Sequence, residues 1–194
     1  VSWVMRSTKS QLEEKFKLYL TNSVFLEILN LVKKNSRGRI WVIGGFVYRN
    51  LVSALYGGNT YSHDIDFVVE DRNESLKKIP GWSIEINSYR VPNYVRAGNR
   101  MSFTDIRKVK RVVPLKKFTI EEVIDGTPLN IQSIAYDLVR NKVMGEKGIE
   151  ALRTRMIKVN SMEQAEFYAK RKNKDLRDIV IDKARELGFD YKLP

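Results

Sequence analysis

Apolar side chains recur every four residues near the start of the chain. The repeat runs through Leu12, Phe16, Leu20, Val24, Ile28 and Val32. Residues four apart share one face of an α-helix, so this spacing predicts a single amphipathic helix over about residues 10–34. Residues 162–187 have a similar helical pattern, which ends at Gly188, a residue that readily takes the left-handed conformation of a helix end.

Short β-branched and aromatic runs lie between these helical segments and predict strands. The clearest are residues 39–43, which Gly44-Gly45 follows, and residues 64–69 with the sequence Asp-Ile-Asp-Phe-Val-Val. Further predicted strands cover residues 82–86, 94–97, 101–109, 130–138, 142–144 and 155–159, and helices are predicted over residues 46–57 and 146–152.

The order of these elements predicts an α/β fold of the α+β type. We expect a mixed sheet packed against helices, with an N-terminal helix and a C-terminal helical extension. A soft domain boundary near Asn160 divides residues 1–160 from residues 161–194.

Composition excludes several kinds of chemistry. The 194-residue chain has no cysteine, so disulfides, thiolate catalysis and Cys-based zinc sites are excluded, and its one histidine, His63, argues against His-based metal clusters. No apolar run reaches the ~18 residues that span a bilayer, and the opening residues 1–6 are too short for a signal-peptide core. The expected location is therefore cytoplasmic, without membrane contact.

Charge points to a polyanionic partner. Lys and Arg number 35 against 23 Asp and Glu, a formal net charge of +12. Such an excess attracts nucleic acid, although Lys-rich composition also occurs for reasons of stability.

The segments around Gly44-Gly45 and Asp64-Ile-Asp66 carry the candidate chemistry. A Gly-Gly turn between a strand and a helix lets the backbone approach a phosphate, and the helix N-terminus offers unpaired N–H groups. Asp64 and Asp66 are two apart on a strand and therefore point to the same face. Two adjacent carboxylates suit Mg²⁺, and two such ions ~4 Å apart can activate an attacking hydroxyl and stabilise a leaving pyrophosphate.

A third carboxylate is expected from a neighbouring strand. Asp105 is the first choice, because it is an isolated acid in a strand surrounded by bases; Glu85 is the reserve. The alternative for Asp105 is a structural acid paired with Arg107.

The two motifs together resemble those of polymerase-beta-type nucleotidyltransferases, in particular the head domain of CCA-adding enzymes and poly(A) polymerases. The family pattern Gly-Gly-x-Val-Arg-Asp followed by Asp-x-Asp is similar to residues 44–49 followed by 64–66, and residues 129–138 are similar to a later family segment. In this register Tyr48 occupies the position of the family arginine and Arg49 that of the following aspartate.

The resemblance implies transfer of a nucleoside monophosphate from a nucleoside triphosphate to an acceptor, with release of pyrophosphate. Catalytic metal ligands would be Asp64, Asp66 and Asp105, holding two Mg²⁺ ions, while Gly44, Gly45 and Arg49 would bind the nucleotide. The expected acceptor is RNA, with the tRNA 3′ end as one possibility. Two alternatives stay open: nucleotidylation of a protein or small molecule, and a catalytically silent RNA-binding module.

A basic band flanks the predicted catalytic strand. Residues 96–117 contain eight Lys and Arg against one acid, Asp105. A band of this kind beside an active site would hold a phosphate backbone, so Arg107 and Lys108 are predicted to bind RNA. For a second basic cluster, residues 170–174, RNA contact and a solvated helix face are equally good interpretations.

Overall fold

A computed structural model describes residues 8–60, 62–76, 78–87 and 90–194. Residues 1–6, to which the signal-peptide expectation refers, lie outside this part. Within it the chain forms seven α-helices, α1 (Lys9–Leu20), α2 (Ser23–Lys34), α3 (Gly45–Tyr56), α4 (Ile120–Asp125), α5 (Glu146–Thr154), α6 (Met162–Lys172) and α7 (Leu176–Leu187). Its strands are β1 (Ser36–Ile43), β2 (Asp64–Arg72), β3 (Ser83–Ile86), β4 (Pro92–Arg96), β5 (Asn99–Asp105), β6 (Ala135–Asp137), β7 (Lys142–Met144), β8 (Met156–Ile157) and β9 (Asp190–Tyr191).

The main sheet has seven strands in the order β3-β4-β5-β2-β1-β6-β7. Its strand pairs are antiparallel except β2 and β5, which run parallel at the centre. The mixed sheet packed against helices confirms the predicted fold class.

The two faces of the sheet pack against different helices. On the first face, Val42 and Phe67 belong to the large core that also contains residues of α1, α2, α3, α6 and α7. On the second face, Trp41 and Val68 pack against Ile120 and Val123 of α4. The alternation of side chains along β1 and β2 produces this division.

The prediction of a single N-terminal helix is wrong, because Thr21 and Asn22 separate two helices. The side chain of Asn22 accepts hydrogen bonds from the backbone of Val24 and Phe25 and so caps a new helix. The apolar four-residue spacing continues across the break, and periodicity alone therefore did not reveal it. The C-terminal helix is divided in the same way, with Asn173 ending α6 and Asp175 capping α7.

Within the described part of the chain, no helix combines the length and apolar composition that crossing a membrane requires.

Candidate active site

Asp64 and Asp66 lie on the second face of β2, as their spacing predicted. The parallel register places Asp64 beside Arg100 and Asp66 beside Ser102 of β5. The Ser102 hydroxyl donates a hydrogen bond of 2.7 Å to Asp66 Oδ1. The hydroxyl therefore fixes the orientation of one carboxylate of the pair.

Asp66 lines a cavity of about 310 Å³, which we call the site cavity. Its wall includes Gly44 from the β1–α3 turn, Thr104 from β5, and Gln164 and Tyr168 from α6. The Asp66 side chain remains exposed to solvent at the cavity, but the surrounding protein partly desolvates it and raises its pKa; the neighbouring charge of Asp64 raises the pKa further, against the hydrogen bond from Ser102. A cation at this point would offset both unfavourable effects.

The two glycines serve different purposes. Gly44 has φ of 70° at the start of α3, a conformation that other residues adopt at a cost, and a Cβ at this position would lie 3.8 Å from Asp66 Oδ2. A side chain at Gly45 would collide with the Arg49 guanidinium, one turn later in α3. The Gly-Gly pair thus lets the helix N-terminus approach one carboxylate while the arginine folds back over it.

Arg49 is held at the site by the C-terminal helix α7. Its Nε donates a 2.5 Å hydrogen bond to Glu186 Oε1. Burial disfavours its charged form, but Tyr48, Glu186 and Asp64 more than offset this effect and raise the pKa of Arg49. A permanent positive charge therefore lies within electrostatic range of Asp64.

Tyr48, in the register position of the family arginine, is buried and does not supply a charge. Its hydroxyl accepts a hydrogen bond of 3.1 Å from Lys183, which also pairs with Glu186. Helix α7 thus contacts two successive residues of α3. Sequence reasoning missed Glu186 and Lys183, because no local signal in the sequence connects residues more than 130 positions apart.

Asp105 does not lie beside the carboxylate pair, where it was expected to supply a third carboxylate. It lies opposite Val69, so its side chain belongs to the other face of the sheet, three residues beyond the Asp66–Ser102 pair. It is 1% exposed, and its oxygens accept hydrogen bonds from the backbone of Arg72 and from Arg107. The Arg107 side chain lowers the pKa of Asp105 to about 2. This geometry matches the alternative interpretation of Asp105 as a structural acid paired with Arg107.

The reserve acid, Glu85, lies on the same face as Asp64 but on β3, three strands from β2 in the sheet order. Its carboxylate is 2.9 Å from Arg100. Among the described residues, no three side chains of the His, Cys, Asp or Glu type come together to hold a metal. The positions of β5 next to Asp66 carry the hydroxyls of Ser102 and Thr104.

The two predicted RNA-binding residues have acidic neighbours. Arg107 bonds Asp71 and Asp105, and Lys108 lies 2.8 Å from Glu74. Lys108 also lines the site cavity, together with Lys110 and Arg111 later in the same basic band. RNA contact by Arg107 and Lys108 stays a prediction.

Several solved structures share this fold. A tRNA-processing enzyme in its apo form matches with a TM-score of 0.61 and 16% identity, over 89% of this chain and 45% of that one. The Thermotoga maritima CCA-adding enzyme complexed with tRNA matches with a TM-score of 0.57 and 17% identity, over 97% of this chain and 42% of that one. The Bacillus stearothermophilus CCA-adding enzyme in complex with CTP matches with a TM-score of 0.56 and 21% identity, over 89% of this chain and 42% of that one.

These similarities show that the chain has a polymerase-beta-type nucleotidyltransferase-like fold, as the motifs predicted. The chain spans less than half the length of the enzymes that it matches. No protein-family model and no curated protein sequence matches it.

Proposed function

We propose that this protein transfers a nucleoside monophosphate from a nucleoside triphosphate to the 3′ hydroxyl of an RNA, with release of pyrophosphate. The observation that carries the proposal is the pair Asp64 and Asp66 on one face of β2, next to Gly44 at the N-terminus of α3. The fold supports it, because structures of the same fold include enzymes complexed with CTP and with tRNA.

Asp64 and Asp66 fit a divalent metal ion. Mg²⁺ prefers carboxylate oxygens together with substrate phosphates. Desolvation and the charge of Asp64 both raise the pKa of Asp66, and a bound cation would offset both effects. With the proposed two Mg²⁺ bound, the ions would polarise the reacting phosphate and neutralise charge on the leaving group. In place of a third carboxylate, the hydroxyls of Ser102 and Thr104 lie beside the pair.

The N-terminus of α3 and Arg49 would bind the triphosphate. Gly44 and Gly45 leave the helix N-terminus accessible, and its partial positive charge favours phosphate oxygens. The Arg49 guanidinium adds a permanent charge beside Asp64. These groups would contact phosphates only, so they would orient any of the four nucleotides.

RNA is favoured over a small acceptor because of charge. The chain has a net charge of +12, and Lys108, Lys110 and Arg111 line the site cavity together with Asp66. Cations beside a carboxylate pair would hold the phosphates that precede an attacking 3′ hydroxyl. A small neutral acceptor would not need them.

Triphosphates labelled at the α- or the γ-phosphate distinguish the possible reactions. Wild-type protein is incubated with Mg²⁺, total cellular RNA and each labelled triphosphate, and both RNA and protein are separated and counted. We expect label in RNA from the α-phosphate and none from the γ-phosphate. Label in protein would favour nucleotidylation of a protein, and absence of transfer would favour the silent binding module.

Replacing Arg49 is expected to weaken triphosphate use. Arg49→Ala should raise KM for the triphosphate by about tenfold or more, because a charge-assisted hydrogen bond contributes ~1.5–3 kcal/mol. Glu186→Gln should produce a smaller rise, since the amide still accepts a hydrogen bond from Arg49 but lacks the charge. Steady-state kinetics with RNA held at saturation measure both effects.

Arg185→Ala is the matched control for these variants, because Arg185 lies on the same helix and its side chain is 78% exposed. Its kinetics should equal those of the wild type. An unchanged KM in Arg49→Ala would remove Arg49 from the triphosphate site.

A further inference from the structure

A second cavity, of about 500 Å³, adjoins the site cavity. Its lining includes four cationic residues, Arg90, Lys110, Arg111 and Arg171, together with Gln164 and Phe167. We call this cavity the basic groove. Its residues come from the β3–β4 connection, the segment after β5 and helix α6, which are distant in sequence.

The basic groove concentrates positive charge. Among the described residues, its lining contains four cations and no acid. Arg107 and Lys108, only a few positions earlier in the chain, face Asp71, Asp105 and Glu74. Lys110 and Arg111, from the same basic band, line both the groove and the site cavity.

An aromatic ring is exposed in the basic groove. Phe167 is 38% exposed, and the Arg171 guanidinium carbon lies 5.5 Å from the centre of its ring. An exposed ring next to a guanidinium offers a stacking surface for an unpaired base. A base within a duplex would not be free to stack on it.

The basic groove leads to the carboxylates. Lys110, Arg111 and Gln164 line both the groove and the site cavity, whose wall includes Asp66. A strand lying in the groove would pass these residues and bring its end to Asp66.

We propose that the basic groove binds the single-stranded 3′-terminal segment of the RNA acceptor, with one base stacked on Phe167 and the backbone phosphates held by Arg90, Lys110 and Arg171. This inference rests on the proposed function for the identity of the acceptor. It adds the groove to the RNA contact predicted for Arg107 and Lys108.

Fluorescence anisotropy tests the groove without catalysis. A 5′-labelled, unstructured RNA of about ten nucleotides, within the usual range for one single-strand site, is titrated in EDTA without triphosphate at several salt concentrations. Phe167→Leu should weaken binding about tenfold, because stacking of one base contributes ~1–3 kcal/mol, and Phe167→Trp should retain it. Arg90→Ala and Arg171→Ala should each reduce the slope of log affinity against log salt by about 0.7.

Two exposed residues outside the groove provide matched controls. Arg185→Ala removes an exposed cation from α7, and Tyr191→Leu removes an aromatic ring that is 47% exposed on β9. Both should bind RNA like the wild type. Thermal melting of every variant verifies that each is folded.

Three results would overturn the groove proposal: wild-type affinity in all the groove variants, a loss of affinity in Lys108→Ala but not in the groove variants, or equal binding of a blunt duplex with no effect of Phe167→Leu. Because binding is measured without metal or triphosphate, these outcomes are independent of transfer. Groove-dependent binding without any nucleotide transfer would instead contradict the proposed function and leave an RNA-binding module.

Discussion

Asp66→Asn is expected to lower the rate of nucleotide transfer by about a thousandfold or more while the protein stays folded. The substitution removes a charge that the proposed metal ions would require and preserves the volume of the side chain, so the expected loss lies in the reaction and not in the packing. Asp64→Asn should behave in the same way. Single-turnover incorporation of labelled nucleotide into RNA measures the rate.

The stability of the Asp66→Asn protein provides a second readout. The pKa of Asp66 is raised in the folded state, so ionised Asp66 lowers the free energy of unfolding at neutral pH. The neutral Asn removes this cost, and the melting temperature without metal should be equal to or higher than that of the wild type. Mg²⁺ should raise the melting temperature of the wild type and have a smaller effect on the variant.

Near-wild-type turnover in either Asn variant would contradict the metal assignment. If either variant were unfolded, the aspartate would be needed for folding, which would contradict its assignment to the reaction alone.

Asp105→Asn is expected to lower the free energy of unfolding by about 2 kcal/mol, since one pKa unit corresponds to ~1.4 kcal/mol. The pKa of Asp105 falls from its usual 3.8 to about 2 in the folded protein, chiefly because Arg107 bonds its carboxylate. Ionised Asp105 therefore stabilises the wild type above about pH 4, and this contribution is lost as the pH falls toward 2. Urea unfolding at several pH values should show a flatter acid dependence in the variant.

Transfer activity distinguishes this structural role from a catalytic one. Asp105→Asn should transfer nucleotide at nearly the wild-type rate at a temperature where it is folded. Asp71→Asn, which removes the exposed partner of the same Arg107, should change stability by less than ~1 kcal/mol. A stable Asp105→Asn protein without transfer activity would restore Asp105 to the catalytic set.

The contrast between Asp66 and Asp105 shows what the sequence alone could predict. Asp64 and Asp66 are two residues apart in one strand, so they share a face of the sheet whichever strand lies beside them. The face of Asp105 depends on the register between β2 and β5, which places it opposite Val69. No pattern within residues 101–109 specifies that register.

Local signals did identify the Gly-Gly turn and the helix that follows it, and α3 begins at Gly45 within one residue of the prediction. The attachment of Arg49 to Glu186 joins residues 137 positions apart and arises only when α7 packs on α3. The basic groove likewise combines three separate segments, so the linear sequence does not show that their positive charges lie together.

The most direct test of the proposed reaction uses two RNAs that differ only at the 3′ end, one with a hydroxyl and one with a 3′-deoxy terminus. Each is incubated with the wild-type protein, Mg²⁺ and α-labelled triphosphate, and both nucleotide addition and released pyrophosphate are counted. We predict addition to the hydroxyl-terminated RNA, with one pyrophosphate released for each nucleotide added, and no addition to the deoxy-terminated RNA. Failure to extend RNA that has a free 3′ hydroxyl, or equal labelling of both RNAs, would contradict the account.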